Sequence, residues 1–268
     1  MESEDVEAIR AQYAAIRDIP HDPLKHEKVH AGSAGRLLEH LFGVNENNIP
    51  GPDYQGWEFK TKNSSVKNAD SLFTLKPSNP LGGDSYMREK YGIQDPPDRS
   101  DGKDVFPEHK ILNTSLKANK DNPVFKTFGH PDGKWHMRLV VDREAEKLRL
   151  KVSYIDGTLY DDRVYWDFSC LKKRFEEKLN YQIAFSWDKL EINGDLKFAY
   201  RDAIAYLGGS WEMFLQGIES ENIQYDHRLG IYRSGKSKGK LHNHGGAFRL
   251  VSGRKDYLNT LYAAIEPL

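Results

Sequence analysis

A single cysteine, Cys170, stands in 268 residues. Neither a disulfide framework nor a thiolate zinc cluster can therefore hold the fold, and at a helix start Cys170 reads as a small buried side chain. No run of about 18 apolar residues occurs, so no helix is expected to cross a membrane. The opening MESEDVEAIR is acidic where a secretion signal begins basic and then apolar, which sets the expectation of a cytoplasmic protein with no membrane partner. Heptads and extended apolar stripes are lacking, so a monomer is expected. No internal repeat is visible. Charge of one sign is lacking too: 39 Lys and Arg offset 40 Asp and Glu, for a net charge of -1 and a pI near 6.8. That balance by itself argues mildly against a nucleic-acid partner. What remains, 38% hydrophobic and 29% charged, is ordinary for a globular chain large enough for one big domain or two small ones.

One absence is local. From Leu229 to Lys255, LGIYRSGKSKGKLHNHGGAFRLVSGRK, there is no acidic residue, while Arg233, Lys236, Lys238, Lys240, Arg249, Arg254 and Lys255 are cationic. Residues 1–22 carry the compensating Glu2, Glu4, Asp5, Glu7, Asp18 and Asp22, so the charge is polarised along the chain. The basic stretch reads as a polyanion footprint. For SGKSKGK alone, a solvated flexible loop is the alternative.

Periodicity gives an α/β layout. Val6, Ile9, Tyr13 and Ile16 predict a helix over 3–18 capped by Ser3, and Leu37, Leu38, Leu41 and Phe42 a second over 33–42. Strands are expected at 57–61 and at SLFTL, 71–75, and 76–134 reads mostly as loop with short elements. KWHMRLVVD and KLRLKVSYI, joined by REAE, form a hairpin. A Lys/Glu-rich helix over 169–179, two strands within 181–200, and a helix in GSWEMFLQGIES follow. YDHRLGIY and GAFRLV are strands bracketing the basic loop.

The chemistry centres on GPDYQGWEFKTK, residues 51–62. Alternation places Trp57 and Phe59 on one strand face and Glu58 and Lys60 on the other. Asp53, after a Pro-bearing turn, can converge with Glu58 on one ion. An acidic residue followed by acidic-x-Lys suits Mg²⁺-dependent nucleases, in which hard oxygens hold the metal and a lysine handles the attacking water. An ordinary solvated strand face explains the same letters. Upstream, AGSAGRLLEHLFGV places Glu39 on an otherwise apolar helix, where a buried carboxylate needs a partner.

Taken in order, the helix Glu39, Asp53 and Glu58-Phe59-Lys60 resemble the MvaI/BcnI-type Type II restriction endonucleases, in the MutH-like branch of the PD-(D/E)xK nucleases. SLFTLKPSNPLGGDSYMREKYG resembles the segment after that family's catalytic strand, and DHRLGIYRSGKSKGKLHNHGGAFRL its DNA-reading segment. The likeness runs from about Ala31 to about Leu250; residues 92–134 and the first 30 match only loosely. It implies a PD-(D/E)xK restriction-endonuclease-like core, a mixed central sheet flanked by helices, with a second DNA-reading lobe. The expected division is 1–135, the catalytic lobe with the metal site, and 136–268, which completes the fold and reads bases.

By the resemblance, Asp53, Glu58 and the Phe59 carbonyl would bind Mg²⁺, Lys60 would position the water, and Glu39 would be an auxiliary carboxylate. Asp226, Arg228, His242, His244 and Arg249 would read the major groove, residue types that suit G·C pairs. Arg233, Lys236, Lys238, Lys240 and Lys62 would hold phosphates. The implied reaction is Mg²⁺-dependent hydrolysis of double-stranded DNA at a short pseudo-palindromic G·C-rich site of the CC-N-GG type, leaving 5′-phosphate and 3′-hydroxyl ends. A cognate DNA methyltransferase would be its partner. A MutH-like nicking repair nuclease and a catalytically silent DNA-binding module stay open as alternatives. His242-Asn243-His244 also admits a metal site, since His at i and i+2 share a strand face, but no third ligand lies close in sequence.

Overall fold

The computed structural model describes residues 2–25, 29–30, 32–44, 52–65, 70–95, 102–118, 135–154, 156–243, 245–254 and 256–268. Helix α1 (Glu2–Ala14) precedes the short strand β1 (Pro20–His21), helix α2 (Ser33–Leu41) and strands β2 (Glu58–Asn63) and β3 (Ser71–Thr74). Helix α3 (Gly83–Tyr91), strands β4 (Ile93–Gln94) and β5 (Lys110–Leu116), and the run β6 (Trp135–Asp142), β7 (Lys147–Tyr154) and β8 (Leu159–Asp167) lead into α4 (Phe168–Leu179). The remainder is β9 (Tyr181–Ile192), β10 (Asp195–Gly209), α5 (Trp211–Glu219), β11 (Ile223–Ile231), β12 (Leu241–Asn243), β13 (Ala247–Leu250), α6 (Tyr257–Thr260) and β14 (Tyr262–Pro267). The α/β class expected from the sequence is the one adopted.

These elements form two compact units, one from 1–68, 175–210 and 258–268, the other from 69–174 and 211–257. The chain passes between them more than once, and the expected boundary at 135/136 falls inside the second unit.

In the first unit a mixed sheet runs β1-β10-β9-β2, with β14 also on β10. β2 is parallel to β9; the other pairs are antiparallel. Val6, Ile9 and Tyr13 from α1 and Leu37, Leu38 and Phe42 from α2 pack with Phe59, Ile183, Phe185 and Phe198 of the strands in one core. The Phe59 ring meets Phe42 at 4.9 Å and Phe185 at 5.1 Å, edge to face. Burying such a ring contributes about 1.5–3 kcal/mol. It also fixes register, because a one-residue slip of β2 would drive Glu58 and Lys60 into the aromatic core.

In the second unit β11 is central to a sheet of order β3-β13-β11-β5-β4, with β12 also on β11, beside the antiparallel sheet β6-β7-β8. β11 is buried along nearly its whole length. The Tyr225 hydroxyl donates to the Leu75 carbonyl at 2.9 Å and fills the space a side chain at Gly246 would need, 1.7 Å from an added Cβ. Gly246 is thus the residue that lets this tyrosine bond across the sheet.

Several expectations shift. α1 ends at Ala14 and includes Ser3 within the helix. The 76–134 stretch holds α3 and β5, whose polar Asn113-Thr114-Ser115 breaks the alternation that marks a strand. β8 and β14 were not expected, and β10 extends to Gly209. Cys170 is exposed, because Leu171 and Phe175 occupy the buried stripe of α4 and a neighbour one position away is rotated off it.

His227 is fully buried on β11, and its two ring nitrogens have no hydrogen-bond partner among the described residues. Asp84 Oδ1 lies 3.9 Å from Nδ1, too far for a hydrogen bond, so burial dominates, with the Arg228 charge second, and lowers the His227 pKa to about 3. A base whose folded pKa lies below its unfolded value near 6.5 contributes full stability above pH 6.5 and loses it as pH falls toward 3. His227→Gln should therefore flatten the acid limb of stability between those values, where each pH unit costs up to about 1.4 kcal/mol. Urea midpoints of parent and variant from pH 7 to pH 4 check this; parallel curves would refute a neutral buried His227.

Candidate functional site

Asp53 reaches Glu58 through a two-residue turn. Tyr54 and Trp57 exchange backbone hydrogen bonds at 3.0 and 2.7 Å, with Gln55 (φ 46°) and Gly56 (φ 89°) between them. Two consecutive positive φ values are the type I′ geometry that matches strand twist. Continuing that pairing sets Asp53 opposite Glu58, and Asp53 Oδ2 accepts the Phe59 N–H at 2.8 Å. The Pro-bearing approach was legible in the sequence; the Gln-Gly turn was the signal passed over.

Two carboxylates are thus brought together at an edge strand, one of them deeply buried: Glu58 is 4% exposed. The Asp53 pKa is raised, first by burial and then by the negative charge of Glu58; the Phe59 N–H, Lys178 and Lys60 pull it the other way. Lys60 Nζ donates to Glu58 Oε1 at 2.5 Å and Lys178 Nζ to Glu58 Oε2 at 2.6 Å. Like charges converging under cationic compensation are what a divalent cation fits, and carboxylate and carbonyl oxygens are hard donors suited to Mg²⁺. Among the described residues no group of three or more His, Cys, Asp or Glu gathers as a metal site. A cation here would draw on Asp53, Glu58 and a backbone carbonyl, with water and substrate oxygens completing its shell, as is usual for Mg²⁺.

Lys178 was not read as a site residue. It lies in the last turn of α4, three residues after Phe175 and seven after Leu171. That spacing places it on the buried stripe. Glu39 is half-buried on α2. That helix packs near β2 at Gly35, where an added Cβ would lie 3.3 Å from Thr61 Oγ1, and Glu39 follows one turn later on the same helix face. Lys62 is part-buried on β2, where alternation aligns it with Glu58 and Lys60.

In the second unit alternation along β11 puts Gln224, Asp226 and Arg228 on one face and His227 on the other. Asp226 is the hub. Its Oδ2 accepts Arg228 Nη2 at 2.7 Å and lies 3.4 Å from Arg249 Nε, and its Oδ1 accepts Gln224 Nε2 at 2.9 Å. The arginines stay partly open, with side chains 41% and 30% exposed, above a carboxylate that is only 4% exposed. Opposite Gly230, the His242 ring lies 2.9 Å from where an added Cβ would sit and packs on Tyr232 at 4.8 Å between ring centres. Asp84 Oδ2 accepts the Asn243 side-chain amide at 2.8 Å, and Asn243 Oδ1 accepts the Gly245 N–H at 2.6 Å, which ties down the turn after β12. His244 lies outside the described residues.

The basic loop is closed, not free-running. Tyr232 N–H donates to Lys240 O at 2.9 Å and Gly239 N–H to Tyr232 O at 2.8 Å. Arg233 makes a two-pronged pair with Asp95, at 2.5 and 2.6 Å, and also meets the Asp104 carbonyl at 2.7 Å. Lys238 pairs with the Asp104 carboxylate. Lys236 and Lys240 are exposed. The acids that neutralise Arg233 and Lys238 lie more than a hundred residues upstream, so a local charge scan could not find them.

The MvaI/BcnI restriction endonuclease family model matches residues 14–262. Among solved structures, a restriction endonuclease MvaI–cognate DNA substrate complex aligns with a TM-score of 0.79 at 26% identity, covering 100% of this chain and 99% of that one. MvaI in the absence of DNA aligns with a TM-score of 0.58 at 26% identity, covering 100% and 98%. Curated protein sequences give no significant match. With a family match that spans nearly its whole length, the chain belongs to the MvaI/BcnI restriction endonuclease family, whose members are site-specific deoxyribonucleases.

Proposed function

We propose that this restriction endonuclease is a Mg²⁺-dependent Type II enzyme with its active centre at Asp53, Glu58 and Lys60 and its base-reading face on β11–β13. The observation that carries the proposal is the placement of Asp53 opposite Glu58, with Lys60 bonded to the same glutamate. Asp53, Glu58 and the Phe59 carbonyl would hold the metal, which when bound supplies charge stabilisation to the phosphoryl oxygens. Lys60 orients the attacking water along the line of the departing 3′ oxygen and favours its deprotonation. The charge of Glu58 keeps that ammonium in place. Glu39 serves as an auxiliary carboxylate beside β2. In-line attack at phosphorus leaves 5′-phosphate and 3′-hydroxyl ends.

On the reading face the Arg228 and Arg249 guanidiniums suit guanine O6 and N7, His242 and His244 donate to the same acceptors, and Asp226 accepts from cytosine N4. Asp226 also aims the two arginines, since all three already touch. Lys62, Lys236, Lys238 and Lys240 supply phosphate contacts, with Lys238 exchanging Asp104 for phosphate. Arg233, bonded on two prongs to Asp95, anchors the loop that presents them. The target is a G·C-rich pseudo-palindrome of the CC-N-GG type, and a monomer with one active centre cuts it one strand at a time. MvaI, to which the chain is similar, has been solved with its cognate DNA, which supports a double-stranded DNA substrate. A cytoplasmic setting beside a protective DNA methyltransferase accords with this role.

Asp53→Asn and Lys60→Ala should lower Mg²⁺-dependent plasmid cleavage at least about a hundredfold while leaving target-DNA affinity within a few-fold, since affinity resides mostly in backbone contacts. Plasmid cleavage with Mg²⁺ against EDTA, paired with gel-shift titration, measures the two quantities. A variant that still cuts at a tenth of the parent rate would remove β2 from the mechanism.

Arg228→Ala and Arg249→Ala should each cost about 1–3 kcal/mol at a G·C position and relax discrimination there. Lys236→Ala should weaken all sequences alike and reduce the salt slope by about 1. Competition binding against singly substituted duplexes at several salt concentrations separates these outcomes; uniform loss in all three variants would make the arginines phosphate clamps.

A further inference from the structure

Glu58 is met by two ammonium groups, and the nuclease mechanism uses only one. Lys60 comes from the same strand and its side chain is 34% exposed. Lys178 comes from α4, is 13% exposed and bonds the other oxygen, Oε2, at 2.6 Å. Burying a lysine is costly unless a charge answers it. Leu171, Phe175 and Leu179, all fully buried, hold this part of α4 against its neighbours, and the last turn of a helix favours a cation. The ammonium is therefore placed by the fold and not by chance of a flexible side chain.

We propose that Lys178 is a positioning residue that stands in for the metal: it neutralises Glu58 in the metal-free enzyme and yields Oε2 to an incoming divalent cation. This rests on reading Asp53 and Glu58 as the metal ligands. Two carboxylates side by side without an ion, one of them deeply buried, repel each other; with Lys178 on Oε2 and Lys60 on Oε1 the pair stays folded and aimed. Metal affinity is then set by competition, because a cation at Glu58 must displace an ammonium already bonded there. A purely structural ion pair would behave in the opposite way, since its loss would loosen Glu58 and weaken metal binding.

The test measures binding of Mn²⁺ alone to the full chain without DNA, through the electron paramagnetic resonance signal of the free ion. Lys178→Met should bind Mn²⁺ about tenfold more tightly than the parent, the size expected for removing one nearby like charge in a partly screened site, whereas Lys178→Arg should keep the parent's weak binding. In thermal melts the Met variant should lose stability in EDTA and gain more from Mn²⁺ than the parent does. Lys178→Gln replaces the Met variant if the latter does not fold. Unchanged or weaker Mn²⁺ binding in a folded variant lacking the ammonium, with binding abolished in Asp53→Asn, overturns the role of Lys178 alone. Mn²⁺ binding that survives Asp53→Asn overturns the metal-site reading and this proposal with it.

Discussion

Two carboxylates held side by side on the edge of a sheet set the terms for the rest of the first unit. Asp53 and Glu58 are paired by the Tyr54–Trp57 turn, and burial, with the negative charge of Glu58 second, raises the pKa of Asp53. Such an arrangement persists only where the surrounding structure fixes it. Phe59 supplies the anchor from one strand face, inside the aromatic core with Phe42 and Phe185. Lys60 and Lys178 supply the compensating charge from the other. Among the described residues β2 ends its sheet and pairs within it with β9 alone, so the carboxylates are supported from one side by that strand.

The second unit follows the same logic with the signs reversed. Here one buried carboxylate, Asp226, gathers two arginines on the face of β11. Each guanidinium is oriented by that carboxylate, which under the proposed function would lower the ordering cost of base recognition. The opposite face carries His227, kept neutral by burial, which adds no further positive charge behind the arginines. Around them Gly230 makes room for the His242 ring, and the Asp84–Asn243–Gly245 chain holds the turn that follows it.

What could be read from the sequence was whatever local pattern encodes. Trp57 and Phe59 on one face, Glu58 and Lys60 on the other, follows from strand period alone, and the apolar repeat in α1 and α2 marks the core that the aromatic pair faces. Asp53 beside Glu58 was legible as a possibility, with the Gln55-Gly56 turn as its unnoticed cause. Three features were not legible because their partners are remote in sequence. Lys178 reaches Glu58 from 120 residues away, and Asp95 claims Arg233 from 138 residues away. β5 lies against β11 although its own polar residues hide it. A run of cations with no acid nearby reads as an open footprint; in the folded chain, part of it is already neutralised.

The central claim is that Asp53 and Glu58 share one divalent cation. Anomalous scattering from Mn²⁺-soaked crystals of the full chain tests it most directly. The account predicts a single strong peak within coordination distance of both carboxylates and the Phe59 carbonyl, with Lys178 Nζ withdrawn from Glu58 Oε2. A strong peak elsewhere, at His242 for instance, together with none between Asp53 and Glu58, would contradict it.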